Sequence, residues 1–352
     1  MSVAGTPHME TRRDSQHGLR TLWIWLGAIA VIWILQYTLV PMFNAYLFTI
    51  LMFAGINITL AVSLNLVNGF TGQFSMGHAG FMSVGAYTSA FVTTYIKASH
   101  PELLSNAVAM PLIFVLALIV GGVVAGAAGY LVGLPSLRLK GDYLAIVTLG
   151  FGEIIRVIIL NIPAVGGAAG LPGIPLLTNF GLVFTVVIFT LFTVWRLVHS
   201  SYGRAFLSVR EDEIAAEAMG VNTTRAKVRA FVIGAVFAGV AGGLFGHFLT
   251  YLNPATFNFN KSFEIIIMIV LGGMGSISGS VFAAVFLTIL PEALRPLRDY
   301  TGVDLRMVIY SLMLIILMLT RPSGLFGTRE YTAFLPKSWR RKILGHADGE
   351  LS

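Results

Sequence analysis

Stretches of about twenty consecutive apolar residues recur along this chain, and each is the length a helix needs to cross the hydrocarbon core of a bilayer. They run from 22 to 40, 46 to 66, 77 to 96, 108 to 134, 143 to 161, 178 to 198, 229 to 252, 276 to 292 and 304 to 320. A tenth, from Phe263 to Leu271, is short and closes on the Gly-rich GGMGSISG (Gly272 to Gly279), so it reads as half a helix or one arm of a broken span. With 56% of its 352 residues hydrophobic and only 11% charged, the chain lacks the polar coat of a soluble enzyme, which needs about a quarter of its residues charged. The expected fold class is all-α: a polytopic transmembrane helix bundle of about ten spans.

Lys and Arg concentrate in cytoplasmic loops beside membrane spans. Arg12, Arg13 and Arg20 precede the first span, Arg138 and Lys140 follow the fourth, and Arg196, Arg204, Arg210, Arg225, Lys227 and Arg229 surround the long loop after the sixth. Arg321, Arg329, Lys337, Arg340, Arg341 and Lys342 lie in the tail. These fall on one side if both termini are cytoplasmic and the crossings are even in number, which favours ten. Arg295, Arg298 and Arg306 are then left outside, beside Glu292, Asp299 and Asp304. The first apolar run is span-length with no small-residue cleavage site after it, so an uncleaved first helix is expected rather than a signal peptide or a twin-arginine signal. Glycines spaced by four, as at Gly122 and Gly126, Gly239 and Gly243, and Gly242 and Gly246, let helix backbones approach closely and imply packing rather than chemistry.

The chain has no GxxxxGK[ST] phosphate loop, no Cys and no His pair at metal-binding spacing, and no nucleophile and base stand together. No catalytic residue, no metal and no cofactor is therefore assigned to it, and no nucleic acid partner. His78 and His247, the two histidines within apolar segments, read as hydrogen-bonding groups between helices. The loop SYGRAFLSVREDEIAAEAMGVNTTRAKVR contains a short helix, with Ser208 and Glu211 at capping-box spacing, Gly220 as its stop and a restart after Asn222. Its apolar face of Ile214, Ala215, Ala218 and Met219 reads either as a solvated linker or as a surface that fits a groove on a partner.

Within the spans, Glu153 and Arg156 are separated by one helical turn, so they form either a structural ion pair or a gate beside a polar path. Asn57, Asn65, Asn68, Gln73 and Asn161 add amides that line such a path or join helices. NLVNGFTGQFSMGHAGFMSVGAY (Asn65 to Tyr87) is too polar for lipid and is expected beside the pathway. VGGAAGLPGIP (Val165 to Pro175) is expected as an external, non-helical segment.

NGFTGQFSMGHAGF (Asn68 to Phe81), GDYLAIVTLGFGEIIR (Gly141 to Arg156), RAFLSVREDEIAAEAMGVN (Arg204 to Asn222), GGMGSISGSVFAA (Gly272 to Ala284) and RPSGLFG (Arg321 to Gly327) occur in order. In these the chain resembles the permease subunits of bacterial branched-chain amino acid ABC importers, specifically the M type. The resemblance implies an inner-membrane permease carrying branched-chain amino acids. It implies a sister permease, two cytoplasmic ATPase subunits that hold the ATP and Mg, and a periplasmic amino-acid-binding protein as partners. Glu211, Ala215, Ala216 and Gly220 match the family's E…AA…G pattern and are expected to couple the permease to its ATPase. Asn65, Asn68, Gln73, His78, Glu153 and Arg156 are the expected path or gate. The chain then divides into a cytoplasmic tail at 1–21, a permease domain at 22–320 with its coupling loop at 199–228, and a second cytoplasmic tail at 321–352. VGGAAG stands where the family carries a TGGxxG-type stretch, and importers of urea and short amides share much of the pattern. A urea or short-amide permease and a stand-alone secondary carrier are the alternatives.

Overall fold

The computed structural model describes residues 25–38, 40–102, 106, 109–139, 141–295, 311–312, 315–316, 319–320 and 324–327. Most of both tails and part of the last expected span lie outside them, with Arg298 and Arg306; within that span 311–312, 315–316 and 319–320 are helical. Every regular element among the described residues is helical, apart from an isolated bridge between Leu171 and Leu252. The elements are α1 (Trp25–Met42), α2 (Ala45–Asn65), α3 (His78–Ser99), α4 (Ala109–Ser136), α5 (Asp142–Leu160) and α6 (Phe180–Val198). They continue with α7 (Ser201–Glu211), α8 (Glu213–Ala218), α9 (Thr223–Leu249), α10 (Phe259–Gly272) and α11 (Ile277–Ala293). The chain is a multi-pass membrane protein: α1, α2 with the turn that follows it, α4, α5, α6 and α9 are each long and apolar enough to cross a bilayer.

The core is built on α3, α4 and α9, which pack against one another, with α2 on α9, α11 and α6. Glycine makes the close approaches possible. A Cβ at Gly85 of α3 would collide with the backbone of Gly239 on α9, and one at Gly242 with the carbonyl of Met82. On α4, Gly122 and Gly126 face Val240 and Val236 of the same α9. The four-residue glycine spacing is thus used for packing, as the sequence implied.

One expected span changes character. The 77–96 stretch forms α3, but its Ser, Thr, Gly and His residues leave it short of a lipid-facing composition. It lies inside the bundle, with His78, Phe81, Met82, Ser83, Ala86 and Ser89 all buried. The expected amide and histidine bridges are present. Asn57 Nδ2 donates to Thr288 Oγ1 at 2.9 Å, joining α2 to α11. His247 of α9 lies 2.8 Å from Thr93 Oγ1 of α3. Asn161 is different, for it is exposed and donates back to the Val157 carbonyl.

Candidate translocation site

Two non-helical segments enter the bundle from opposite ends and meet at its mid-depth. The first starts where α2 loosens into a π-turn (Leu66–Phe70) and continues without helix to Gly77. Its buried backbone groups need partners, and neighbouring side chains supply several. Thr71 Oγ1 donates to Leu66 O at 2.7 Å, and Asn68 bonds both the N–H and the carbonyl of Ser75. Asn65 accepts from Gly275 N and donates to Ser276 O, each at 2.9 Å, latching the end of α2 to the GGMGSISG turn. The segment then climbs beside α5, where Met76 N donates to Thr148 Oγ1 at 3.0 Å and Gly80 lies against Gly152. Gly152 is the eleventh residue of the nineteen in α5, so α3 begins near the middle of that span.

The second segment descends from the far end, where Leu252 pairs with Leu171. It passes through a short 3-10 turn (Pro254–Phe257) that seats Phe257 between Tyr87 and Phe245. Asn258 then caps α10 by accepting from Lys261 N. In the first turn of α10, Ser262 Oγ accepts the N–H of Ala79 at 3.1 Å. The helix is therefore short because it starts at mid-depth: its 14 residues rise about 21 Å, toward the end that carries Gly275. The half-helix reading of 263–271 is correct, and the non-helical descent supplies the rest of the passage.

The candidate path residues separate into three kinds. Asn65 and Asn68 are framework, with their amides bonded to backbone as above, and His78 Nε2 lies 2.9 Å from Ser63 Oγ between α3 and α2. Gln73 is only 4% exposed and neither of its amide atoms has a hydrogen-bond partner among the described residues. A buried polar group left in that state costs about 1–3 kcal/mol. Glu153 and Arg156 pair with each other, Arg156 Nε to Glu153 Oε2 at 2.7 Å, yet their side chains remain 36% and 26% exposed. Glu153 borders a crevice with Met76, Ala79, Phe259 and Ser262, where the two non-helical segments meet. A lone charge at the centre of a bilayer costs on the order of 3 kcal/mol by insertion scales, so this location is selective.

At the basic end, the loop after α6 forms two helices rather than one. Ser200 caps α7, and Asp212 caps α8 by accepting from the N–H groups of Ile214 and Ala215. Ser208 is therefore not a cap. It lies inside α7 and bonds Ala205 O, because the Asp212 carboxylate offers α8 a stronger acceptor. Gly220, at φ +84°, ends α8, and Asn222 starts α9 by accepting from Arg225 N, as expected. Of the expected coupling residues, Ala215 and Gly220 face out, Glu211 is exposed and paired with Arg210, and Ala216 is buried. Ile214 and Met219 are 74% and 84% exposed. Lys227 of α9, nearly buried, holds α8 in place through Glu213 at 2.6 Å. Arg210 Nη1 donates to Gly69 O at 3.3 Å, and its side chain fills the space where a Cβ of Gly72 would stand. The loop is thus fastened directly to the break after α2.

Sequence reasoning missed the roles of Arg210 and Ser262 and a further ion pair, Lys261 Nζ to Glu264 Oε2 at 3.0 Å. The signal was present in NFNKSFE (Asn258 to Glu264), a polar cluster immediately before the short apolar run.

Comparison with known proteins converges on one family. Residues 46–318 match the family described as branched-chain amino acid transport system / permease component. The high-affinity branched-chain amino acid transport system permease protein LivM of Salmonella typhimurium is 36% identical over 305 residues, covering 77% of this chain and 67% of the relative. LivM of Escherichia coli K12 is 35% identical with the same coverage. LivH of Escherichia coli K12, a second permease protein of the same description, is 36% identical over 132 residues, covering 38% of this chain and 42% of the relative. No solved structure matches the chain. With an all-helical bundle of apolar spans, its buried breaks and a family match over most of its length, the chain belongs to the family of branched-chain amino acid transport system permease components.

Proposed function

We propose that the chain is the M-type permease subunit of an ABC importer in the bacterial inner membrane, forming with a sister permease the path for branched-chain or related amino acids. Two cytoplasmic ATPase subunits, holding ATP and Mg, drive it, and a periplasmic binding protein delivers the substrate. Both termini and the basic loop are cytoplasmic in this reading, in keeping with the placement of Lys and Arg. The substrate class is supported by the names of the relatives.

The observation that carries the reading is the surface of α8. Ile214, Ala215, Ala218 and Met219, the residues whose spacing makes an apolar face, are all exposed on the basic end. Beside them a cleft of about 210 Å³, lined by Tyr202, Phe206, Val221, Arg225 and Arg229, opens between α7 and α9. An apolar helix face next to a cleft on a water-facing loop suits a protein partner. The Arg210 to Gly69 bond gives that partner mechanical access to the break after α2.

The test is reconstitution in vesicles with the sister permease, the two ATPases and the binding protein. Leucine uptake that requires ATP, and two ATPase subunits retained on purification, is the expected result. Uptake by this chain alone on an ion gradient would establish the secondary-carrier alternative instead.

A further inference from the structure

Three acids of the basic loop are already committed: Glu211 pairs with Arg210, Glu213 with Lys227, and Asp212 caps α8. Arg225 and Arg229 have no such partner. They stand four residues apart on the first turns of α9, which puts them on one face of it. Both line the cleft between α7 and α9, together with Tyr202, Phe206, Val221 and Asn222. Both are exposed, and among the described residues neither guanidinium has a carboxylate partner or a hydrogen-bond acceptor. Arg229 lies over the ring of Tyr202, 4.9 Å from its centroid, a contact that steadies the group without supplying an acceptor for its N–H donors. The cleft measures about 210 Å³, far above the roughly 10–15 Å³ that admits one water.

The depth of this cleft selects its occupant. At 19 residues α6 rises about 28 Å, close to the roughly 30 Å of a hydrocarbon core. Its last turn exposes Trp195, packed on His199, which suits the membrane interface. Tyr202 follows in the first turn of α7, so its contact with Arg229 lies just beyond the hydrocarbon edge, at the level of lipid phosphates. We infer that the cleft binds the phosphate of an anionic phospholipid, with Arg225 and Arg229 as the two guanidinium forks. Planar guanidinium groups match phosphate oxygens bidentately, and Phe206 and Val221 suit the glycerol end of the headgroup. Two positive charges in one cleft disfavour a headgroup that carries its own ammonium. No residue of α8 lines the cleft, so a lipid there leaves the exposed α8 face to the proposed protein partner. The site requires only that the chain spans a bilayer, and its failure leaves the importer reading as it stands.

The experiment uses the full complex, purified and titrated with phosphatidylglycerol, phosphatidylcholine or inorganic phosphate while native mass spectrometry follows what is retained. Retention of phosphatidylglycerol in preference to phosphatidylcholine is expected. Arg225→Gln combined with Arg229→Gln is expected to weaken phosphatidylglycerol binding about tenfold or more, as the loss of at least one hydrogen bond to a charged group requires. Arg204→Gln, at the same end but outside the cleft, is expected to leave it unchanged. A chain altered only by p-benzoylphenylalanine at Tyr202, which keeps an aromatic ring beside Arg229, is expected to give a phospholipid adduct, and this holds even if the double variant folds poorly. Equal binding by the double variant, or an equal loss in Arg204→Gln, overturns the site in favour of diffuse attraction to the basic end. Inorganic phosphate that binds and is not displaced by phosphatidylglycerol makes it a site for a free anion and overturns the lipid. An adduct to an ATPase subunit with none to lipid gives the cleft to the protein partner and overturns it equally.

Discussion

The backbone N–H of Ala79 and the hydroxyl of Ser262 join the first turns of α3 and α10 at the middle of the bundle. The two residues are far apart in the chain and come from helices entered from opposite ends. Replacing Ser262 with Ala leaves a buried N–H without its acceptor, so a loss of about 1–3 kcal/mol is expected. Thermal unfolding of the detergent-solubilised protein measures it.

Gln73 and Asn65 are both buried amides, and the structure gives them opposite roles. Asn65→Leu breaks the bonds to Gly275 and Ser276 and is expected to lower the unfolding temperature. Gln73→Leu removes an amide with no partner, so stability is expected to hold or rise while uptake falls. Paired melting curves and uptake rates separate the two; a Gln73→Leu variant that transports normally removes Gln73 from the path.

Two glycines make a sharp contrast. Gly85→Ala places a Cβ against the backbone of Gly239, where neither helix has room, and about 1–3 kcal/mol of destabilisation is expected. Gly150→Ala, on a helix face with nothing nearby, is expected to be neutral or to stabilise by up to about 1 kcal/mol through helix propensity. Expression level and melting temperature check both.

On α8, Ile214→Asp and Met219→Asp alter only exposed side chains and are expected to change stability by less than about 0.5 kcal/mol. Under the proposed coupling they abolish co-purification of the ATPase subunits and ATP-driven uptake. Ala216→Asp is a different lesion, since Ala216 is buried, and it is expected to lower stability itself. A Met219→Asp permease that still retains its ATPases places the coupling contact elsewhere.

The boundaries of most spans were readable because lipid imposes a length and a composition that residue order records directly. The short helix that stops at Gly220 and the restart after Asn222 were readable too, since cap and stop residues act locally. The misplaced cap at Ser208 shows the limit of local rules. Ser208 satisfies the spacing as well as a real cap would, and only the chain turn at Asp212 decided which acceptor was used.

What the residues alone determined is a membrane bundle with polar breaks and a basic loop, because helix length, glycine spacing and cap chemistry all depend on near neighbours. What tertiary structure decided is where those breaks meet. Asn65 finds Gly275, Ser262 finds Ala79, and Arg210 finds Gly69, each through pairings across the chain that no local period encodes. The same reason makes Glu153 ambiguous in the sequence and specific in the fold. Its spacing to Arg156 fixes the ion pair, but only the packing of α5 against α3 and α10 leaves that pair part-exposed at mid-depth.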